Sequence, residues 1–211
     1  MTIDYSQLME AEKQVEMLFK EKGKELIFHN FARAESMVET ISHLFKLDST
    51  LREKVEDLKE TENVLKTLAL FSETGYTMGQ DMKCLGSGAI ASEILPKCGY
   101  PEEQVNYIKC LLGDAAFFNP RSCSESTEEH ILTTLYDTKT RYFADETFFL
   151  LSMQHRQELQ KDGQNIPLRD WYANELNRLE SHWYCTIPAM MAYSEKKRNN
   201  VKELKLLLGY V

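Results

Sequence analysis

Apolar residues recur at intervals of three and four along almost the whole of this 211-residue chain, and no segment alternates convincingly with a period of two. A backbone with that pattern offers one apolar stripe per helix and no sheet face to bury, so the expected fold is all-α. The first repeat runs through Leu8, Ala11, Val15, Leu18 and Phe19, with Gly23 where a helix would close. A second runs through Phe31, Ala34, Met37, Val38, Ile41, Leu44 and Phe45. Asp48-Ser49-Thr50 then supplies cap residues for a helix, or a broken pair, carrying Leu51, Val55 and Leu58 and then Val64, Leu65, Leu68, Ala69 and Phe71, ending near Gly75. Four of the nine glycines fall between Gly75 and Gly88, which predicts a loop leading into a helix through Ile90, Ala91, Ile94 and Leu95. Gly99-Tyr100-Pro101 is a stop followed by a start, Glu102 and Glu103 suiting a first helical turn, and Val105, Ile108, Leu111 and Leu112 form the next stripe. A polar loop is expected from Asn119 to Thr127, followed by helices through Ile131 to Leu135, Thr147 to Gln160, Trp171 to Glu180, and Tyr184 to the C-terminus.

At this length a single domain spanning 1–211 can bury a full core, and only nine Gly and five Pro argue against long linkers. The opening residues are acidic and polar, without the basic and apolar regions of a signal peptide, and no run of apolar residues is long enough to span a bilayer. A soluble, cytoplasmic protein is therefore expected. The five cysteines are scattered, with no C-x-x-C pair, so the expectation is buried reduced thiols rather than disulfides or a zinc ribbon. A net charge of −8 disfavours nucleic acid as a partner, because phosphate contacts need cations. The basic run Lys196-Lys197-Arg198, with Lys202 and Lys205, reads as a solvated helix face.

Metal sites in helical enzymes need His and carboxylate side chains on neighbouring turns, as in H-E-x-x-H or paired E-x-x-H, and neither occurs. His29, His43, His130, His155 and His182 stand alone. No nucleophile elbow, Walker loop or dinucleotide fingerprint is present, so no cofactor and no metal are expected. The turn Cys84-Leu85-Gly86-Ser87-Gly88 precedes a helix whose amides could hold a phosphate, but nothing completes a phosphate loop, and a plain junction is the simpler reading.

Phe28-His29-Asn30-Phe31-Ala32-Arg33-Ala34, followed by Met37-Val38, is similar to the Tyr-His-Asn-x-x-His-Thr opening of the HD-superfamily phosphohydrolases, whose HD domain also occurs in Pycsar-type antiphage effectors. The resemblance covers nearly the whole chain. Leu68-Ala69-Leu70-Phe71-Ser72-Glu73-Thr74-Gly75-Tyr76 resembles the family's apolar run ending Phe-His-Asp-x-Gly-Tyr, and Lys83-Cys84 with Ser87-Gly88 stands where it writes His-Glu and Ser-Ala. Gly99-Tyr100-Pro101-Glu102-Glu103 belongs to the pattern, Leu135-Tyr136-Asp137-Thr138-Lys139 occupies the place of Asp-Ala-Asp, and Arg198-Asn199-Asn200-Val201 resembles its Lys-x-Asn ending.

The resemblance implies an HD-like helical bundle in which two histidines, a His-Asp pair and a later Asp would hold a divalent metal that activates water. Here those positions read Arg33, Ser72-Glu73, Lys83 and Asp137, so the resemblance implies a degenerate site whose cations pair with its remaining carboxylates. His29 and Asn30 are retained where the family orients its helix start. The leading expectation is a non-catalytic HD-like domain that binds a ligand or a protein partner, with Arg33, Lys83 and Lys139 able to accept an anion such as a nucleotide phosphate. The plain alternative is that these cations only pair with Glu73, Asp81 and Asp137. A second expectation is a hydrolase with a metal site displaced onto Glu73, Asp81, Asp137 and Asp145. A third is a structural module that dimerises or docks a partner through Phe148, Phe149, Trp171, Trp183 and Tyr184, although their helical spacing favours the core.

Overall fold

The computed structural model describes residues 4–79, 82, 85–117 and 126–210. The described residues are all-α, with ten helices joined by short turns and no strand among them. Asp4 begins α1 (Tyr5–Lys22) with a reciprocal capping box. Its carboxylate accepts from the amides of Ser6 and Gln7, and the Gln7 side chain accepts from the Asp4 amide at 2.8 Å. Asn30 caps α2 (Phe31–Leu47) by accepting from the Arg33 amide at 3.0 Å. Asp48 ends that helix and caps α3 (Ser49–Lys54), so the expected broken pair is real, and α4 (Leu58–Phe71) follows from Asp57.

Beyond α4 a 3-10 turn spans Thr74–Met78, and α5 already begins at Leu85 (Leu85–Ile94). The glycine-rich loop expected from Gly75 to Gly88 therefore stops short, and Gly86 and Gly88 are helical. The reason is contact. A Cβ at Gly86 would sit 3.1 Å from the Gly75 Cα, and one at Gly88 3.3 Å from the Lys109 carbonyl oxygen, so these glycines let the backbones of α5, the 3-10 turn and α6 approach closely. Gly99, at φ 81, closes the turn after α5 and delivers the chain into α6 (Glu102–Phe117). The expected loop from Asn119 to Thr127 falls largely outside the described residues, and α7 (Thr127–Thr140) starts at its end. A 3-10 turn at Arg141–Ala144 leads to α8 (Phe148–Lys161), α9 (Leu168–Ser181) and α10 (Ile187–Leu208).

Two larger apolar clusters result, with a third, small one of Leu44, Ala144, Tyr184 and Ala189. The larger packs α1, α2, α4, α5, α6 and α7 around Ile41, Leu65, Leu68, Phe71, Ile108 and Leu135. The smaller gathers Phe28, Tyr142, Phe143 and Phe148 with Leu176 and Leu179 of α9 and Leu204 and Leu208 of α10. The segment entering α2, the end of α4 and the end of α7 all lie where one cluster gives way to the other, and the polar side chains considered below gather there.

Two surface expectations change, at Cys110 and Lys197, while the aromatics fall mostly in the core that their spacing favoured. Of the cysteines in described segments, Cys98 is buried but Cys110 is exposed. Lys196, Arg198 and Lys202 are exposed as expected, but Lys197 is half-buried, its amine donating to the Leu179 carbonyl at 3.0 Å and to that of His182. Phe148, Trp171 and Tyr184 are core residues, and of the five aromatics only Trp183 is substantially exposed. No helix of the described residues is long and apolar enough to cross a membrane.

Candidate functional site

Glu73 follows α4 by two residues and is 1% exposed. Its position is set by Ser72, which ends the helix with its hydroxyl on the Ala69 carbonyl and its own carbonyl accepting from Ser87 Oγ at 3.2 Å. Arg33, one turn into α2, brings Nε to 3.1 Å from Glu73 Oε2. Lys139, in the last turn of α7, places Nζ 3.6 Å from Oε1. The same arginine donates through Nη2 to the Lys139 carbonyl at 2.8 Å and lies over the Phe28 and Tyr142 rings at 4.4 and 5.0 Å. Burial pushes the Glu73 carboxyl up, but Arg33, Lys139 and His29 together outweigh it and bring its pKa down to about 2. At neutral pH this carboxylate is ionised, dry and matched by two permanent cations.

His29 sits between two glutamates. Its Nδ1 hydrogen-bonds Glu158 Oε1, and its Nε2 is 3.8 Å from Glu73 Oε2. Tyr76 stacks on its ring with centroids 3.5 Å apart. The other oxygen of Glu158 accepts from the backbone amides of Phe28 and His29 at 2.9 and 3.1 Å, so one side chain of α8 fixes the strand-like entry to α2. Burial pushes the Glu158 carboxyl up, but these bonds and the His29 ring more than offset it and lower its pKa. Glu158 is absent from the sequence reading. It lies 129 residues from His29 within Gln157-Glu158-Leu159-Gln160, and nothing in that polar stretch marks it as buried. Beside this group His155 stacks on Phe28, its Nδ1 buried without a partner, and desolvation followed by the charge of His29 pushes its pKa down to about 3.

Asp137 turns elsewhere. One carboxylate oxygen accepts from the Thr186 amide at 2.7 Å and the Thr186 hydroxyl at 2.8 Å, and both oxygens accept from the Cys185 amide at 2.9 and 3.2 Å. The residue is fully buried and holds the N-terminus of α10 from the side of α7. Burial raises its pKa to about 6 against the pull of those donors. Asp145, the distal member of the displaced-metal set, accepts from the amide and hydroxyl of Thr147 at 2.9 and 2.7 Å and lies 3.4 Å from Arg141. Lys83, Asp81 and Cys84 lie outside the described residues. Among the described residues no three His, Cys, Asp or Glu side chains are gathered so that they could hold a metal ion.

The structure thus unites His29, Arg33, Glu73 and Lys139, adds Glu158, Tyr76 and Tyr142, and separates Asp137 from them by role. Asn30 serves as the α2 cap, its amide also donating to the Ile27 carbonyl at 2.7 Å. A cavity of about 300 Å³ opens on the outer side of Arg33, between α2, the 3-10 turn after α7, and α8. Comparison with family models, with curated proteins and with solved structures finds no match for this chain.

Proposed function

We propose that this chain is a non-catalytic HD-like helical domain whose ancestral metal site is filled by its own cations, and that it acts by binding a small anionic ligand or a protein partner. The observation behind this reading is the set of contacts at Glu73. The position that resembles the family's metal-binding Asp holds a buried carboxylate already paired with Arg33 and Lys139. A divalent ion arriving there would have to displace a guanidinium and an ammonium from a site with almost no solvent access. Of the other carboxylates of a displaced hydrolytic site that lie among the described residues, Asp137 is engaged by the start of α10 and Asp145 by Thr147.

The nucleotide-phosphate reading narrows for the same reason. Arg33 and Lys139 each face Glu73, so an incoming phosphate at that point would compete with a carboxylate already in place. The ligand reading therefore moves outward from Glu73 to the cavity beyond Arg33. A second reading, docking of a partner or a second copy, is favoured by Trp183, Ile187, Met190 and Met191, which leave apolar surface exposed at the start of α10.

Thermal unfolding with and without manganese tests the leading reading. A ligand at a hundred times its dissociation constant would raise the midpoint by about 5 to 10 °C for a chain of this size. The expected result is no shift with manganese and no phosphoester hydrolysis. A shift of that size would show that Glu73 is available to a metal and would sink the reading. Sedimentation of the protein across a concentration series checks the docking reading, which requires self-association or a captured partner.

A further inference from the structure

Immediately outside the Glu73 cluster the protein presents donors that the cluster does not use. Arg141 opens the 3-10 turn after α7 and lies at the meeting of three cavities of about 300, 360 and 260 Å³. Its Nη1 donates to Ser36 Oγ at 3.0 Å, its Nη2 is 3.4 Å from Asp145 Oδ2, and Tyr193 lies within its hydrogen-bonding reach. A guanidinium has five N–H donors in a planar fork, so these contacts hold Arg141 in place without saturating it. Asp145 is fixed by Thr147 and cannot turn away to free more space.

The walls define what could enter. Thr40 and Thr138 give their hydroxyl protons to the carbonyls of Ser36 and Thr134, at 2.7 and 2.8 Å, so they offer lone pairs only, and the charged donors of the lining are those of Arg141 and Arg33. Phe28, Met37, Tyr142 and Leu151 make an apolar wall. Two guanidiniums lie on the lining of the innermost cavity, Arg141 beside Asp145 and Arg33 with its Nε turned to Glu73. At the outer cavities Lys196 is met by Glu39 and Glu146. The largest single volume is at the lower end of what small-molecule sites use. A phosphate dianion would set its second charge beside Asp145, where the nearest further cation, Lys196, is already shared among Asp145, Glu39 and Glu146, whereas a carboxylate needs one countercharge and matches the planar fork.

We propose that this cleft binds a small organic monoanion, a carboxylate on a compact apolar body, with Arg141 holding the carboxylate and Phe28, Met37, Tyr142 and Leu151 receiving the body. The proposal rests on the reading that Glu73 and its cations fill the interior and leave the outer cleft as the ligand site. The test is amide-detected NMR titration of the full chain with benzoate and, separately, with phenyl phosphate. Saturable benzoate shifts centred on Ser36 and Arg141, and tighter than those of phenyl phosphate, are expected. Arg141→Gln should weaken benzoate about tenfold or more, and Leu151→Trp, which fills the cleft, should abolish it. If either variant fails to fold, the comparison of the two probes on the unaltered chain still decides. Absence of saturable shifts, tighter binding of phenyl phosphate, or full affinity in a folded Arg141→Gln variant would overturn the proposal. A parallel manganese titration separates the two ideas. Paramagnetic broadening around residue 73 with benzoate still at Arg141 defeats the filled-site reading alone, while benzoate shifts centred on Glu73 defeat this inference alone.

Discussion

Glu73 and Asp137 are both buried carboxylates, and the chain has stabilised them by opposite means. Glu73 is ionised because Arg33 and Lys139 stand against it, and its pKa falls to about 2. Among the described residues no cation is in hydrogen-bonding contact with Asp137; amide and hydroxyl donors of Cys185 and Thr186 hold it, and burial raises its pKa to about 6. A carboxylate held by charge binds one interior together, whereas one held by donors serves as an anchor for a helix end. The two residues lie in one structure only because α7 splits its last turns between them, with Asp137 facing α10 and Lys139 facing Glu73.

The sharpest way to break this contrast is to remove a charge from one side. Arg33→Met leaves Glu73 buried with only the more distant Lys139 and the His29 ring beside it, and the expected loss is about 3 to 5 kcal/mol in chemical denaturation. Adding Glu73→Gln to that variant should recover most of the loss; a double variant no more stable than Arg33→Met would mean that Arg33 acts through its stacking on Phe28 and Tyr142 instead. Asp137→Ala, which strands two amides and a hydroxyl, should cost about 3 kcal/mol and should raise hydrogen exchange in the first turn of α10 more than elsewhere.

Acidity should then separate the two groups in sign. The stabilising effect of Glu73 is present above the ordinary Glu range and is lost as pH falls toward about 2. Asp137 behaves in reverse. Its contribution is fullest below the ordinary Asp value and declines as pH rises through about 6. The stability gap between the unaltered chain and Asp137→Asn should therefore widen on the order of 2 kcal/mol between neutral pH and pH near 4, and a constant gap would show that Asp137 titrates normally. His155 is desolvated, with His29, Arg178 and Arg33 adding positive charge around it, and its pKa of about 3 means that stability is lost as pH falls from the ordinary His value. His155→Phe keeps the ring on Phe28 and should be more stable than the parent by about 1 kcal/mol at mildly acidic pH, measured by thermal unfolding. Lys139→Met should have the smallest effect, below about 1 kcal/mol, because its amine is partly solvated and not in close contact.

The helices were readable because their apolar stripes are long and their caps are explicit, as at Asn30, Asp48 and Gly99. Gly86 and Gly88 misled because glycine marks both loops and close helix contacts, and only the packing against Gly75 and Lys109 tells these apart. The pairing of Arg33 and Lys139 with Glu73 was legible only as the plain alternative to anion binding, because isolated cations and carboxylates in a sequence do not say which of them meet. Glu158 was not. A glutamate in a polar helical stretch carries no mark of burial, and its amide contacts come from 129 and 130 residues away. Asp137 was visible as a residue but not in its role, because an acceptor for a distant helix start has the same sequence signature as a metal ligand.

The most direct test is a carbon-detected pH titration of the side-chain carboxyls of Glu73 and Asp137, repeated with manganese present. The account expects Glu73 to titrate near 2 and Asp137 near 6, with neither signal broadened by the metal. A Glu73 that titrates in the ordinary range and broadens with manganese would show an open ligand where the structure places an internal ion pair, and would contradict the account at its centre.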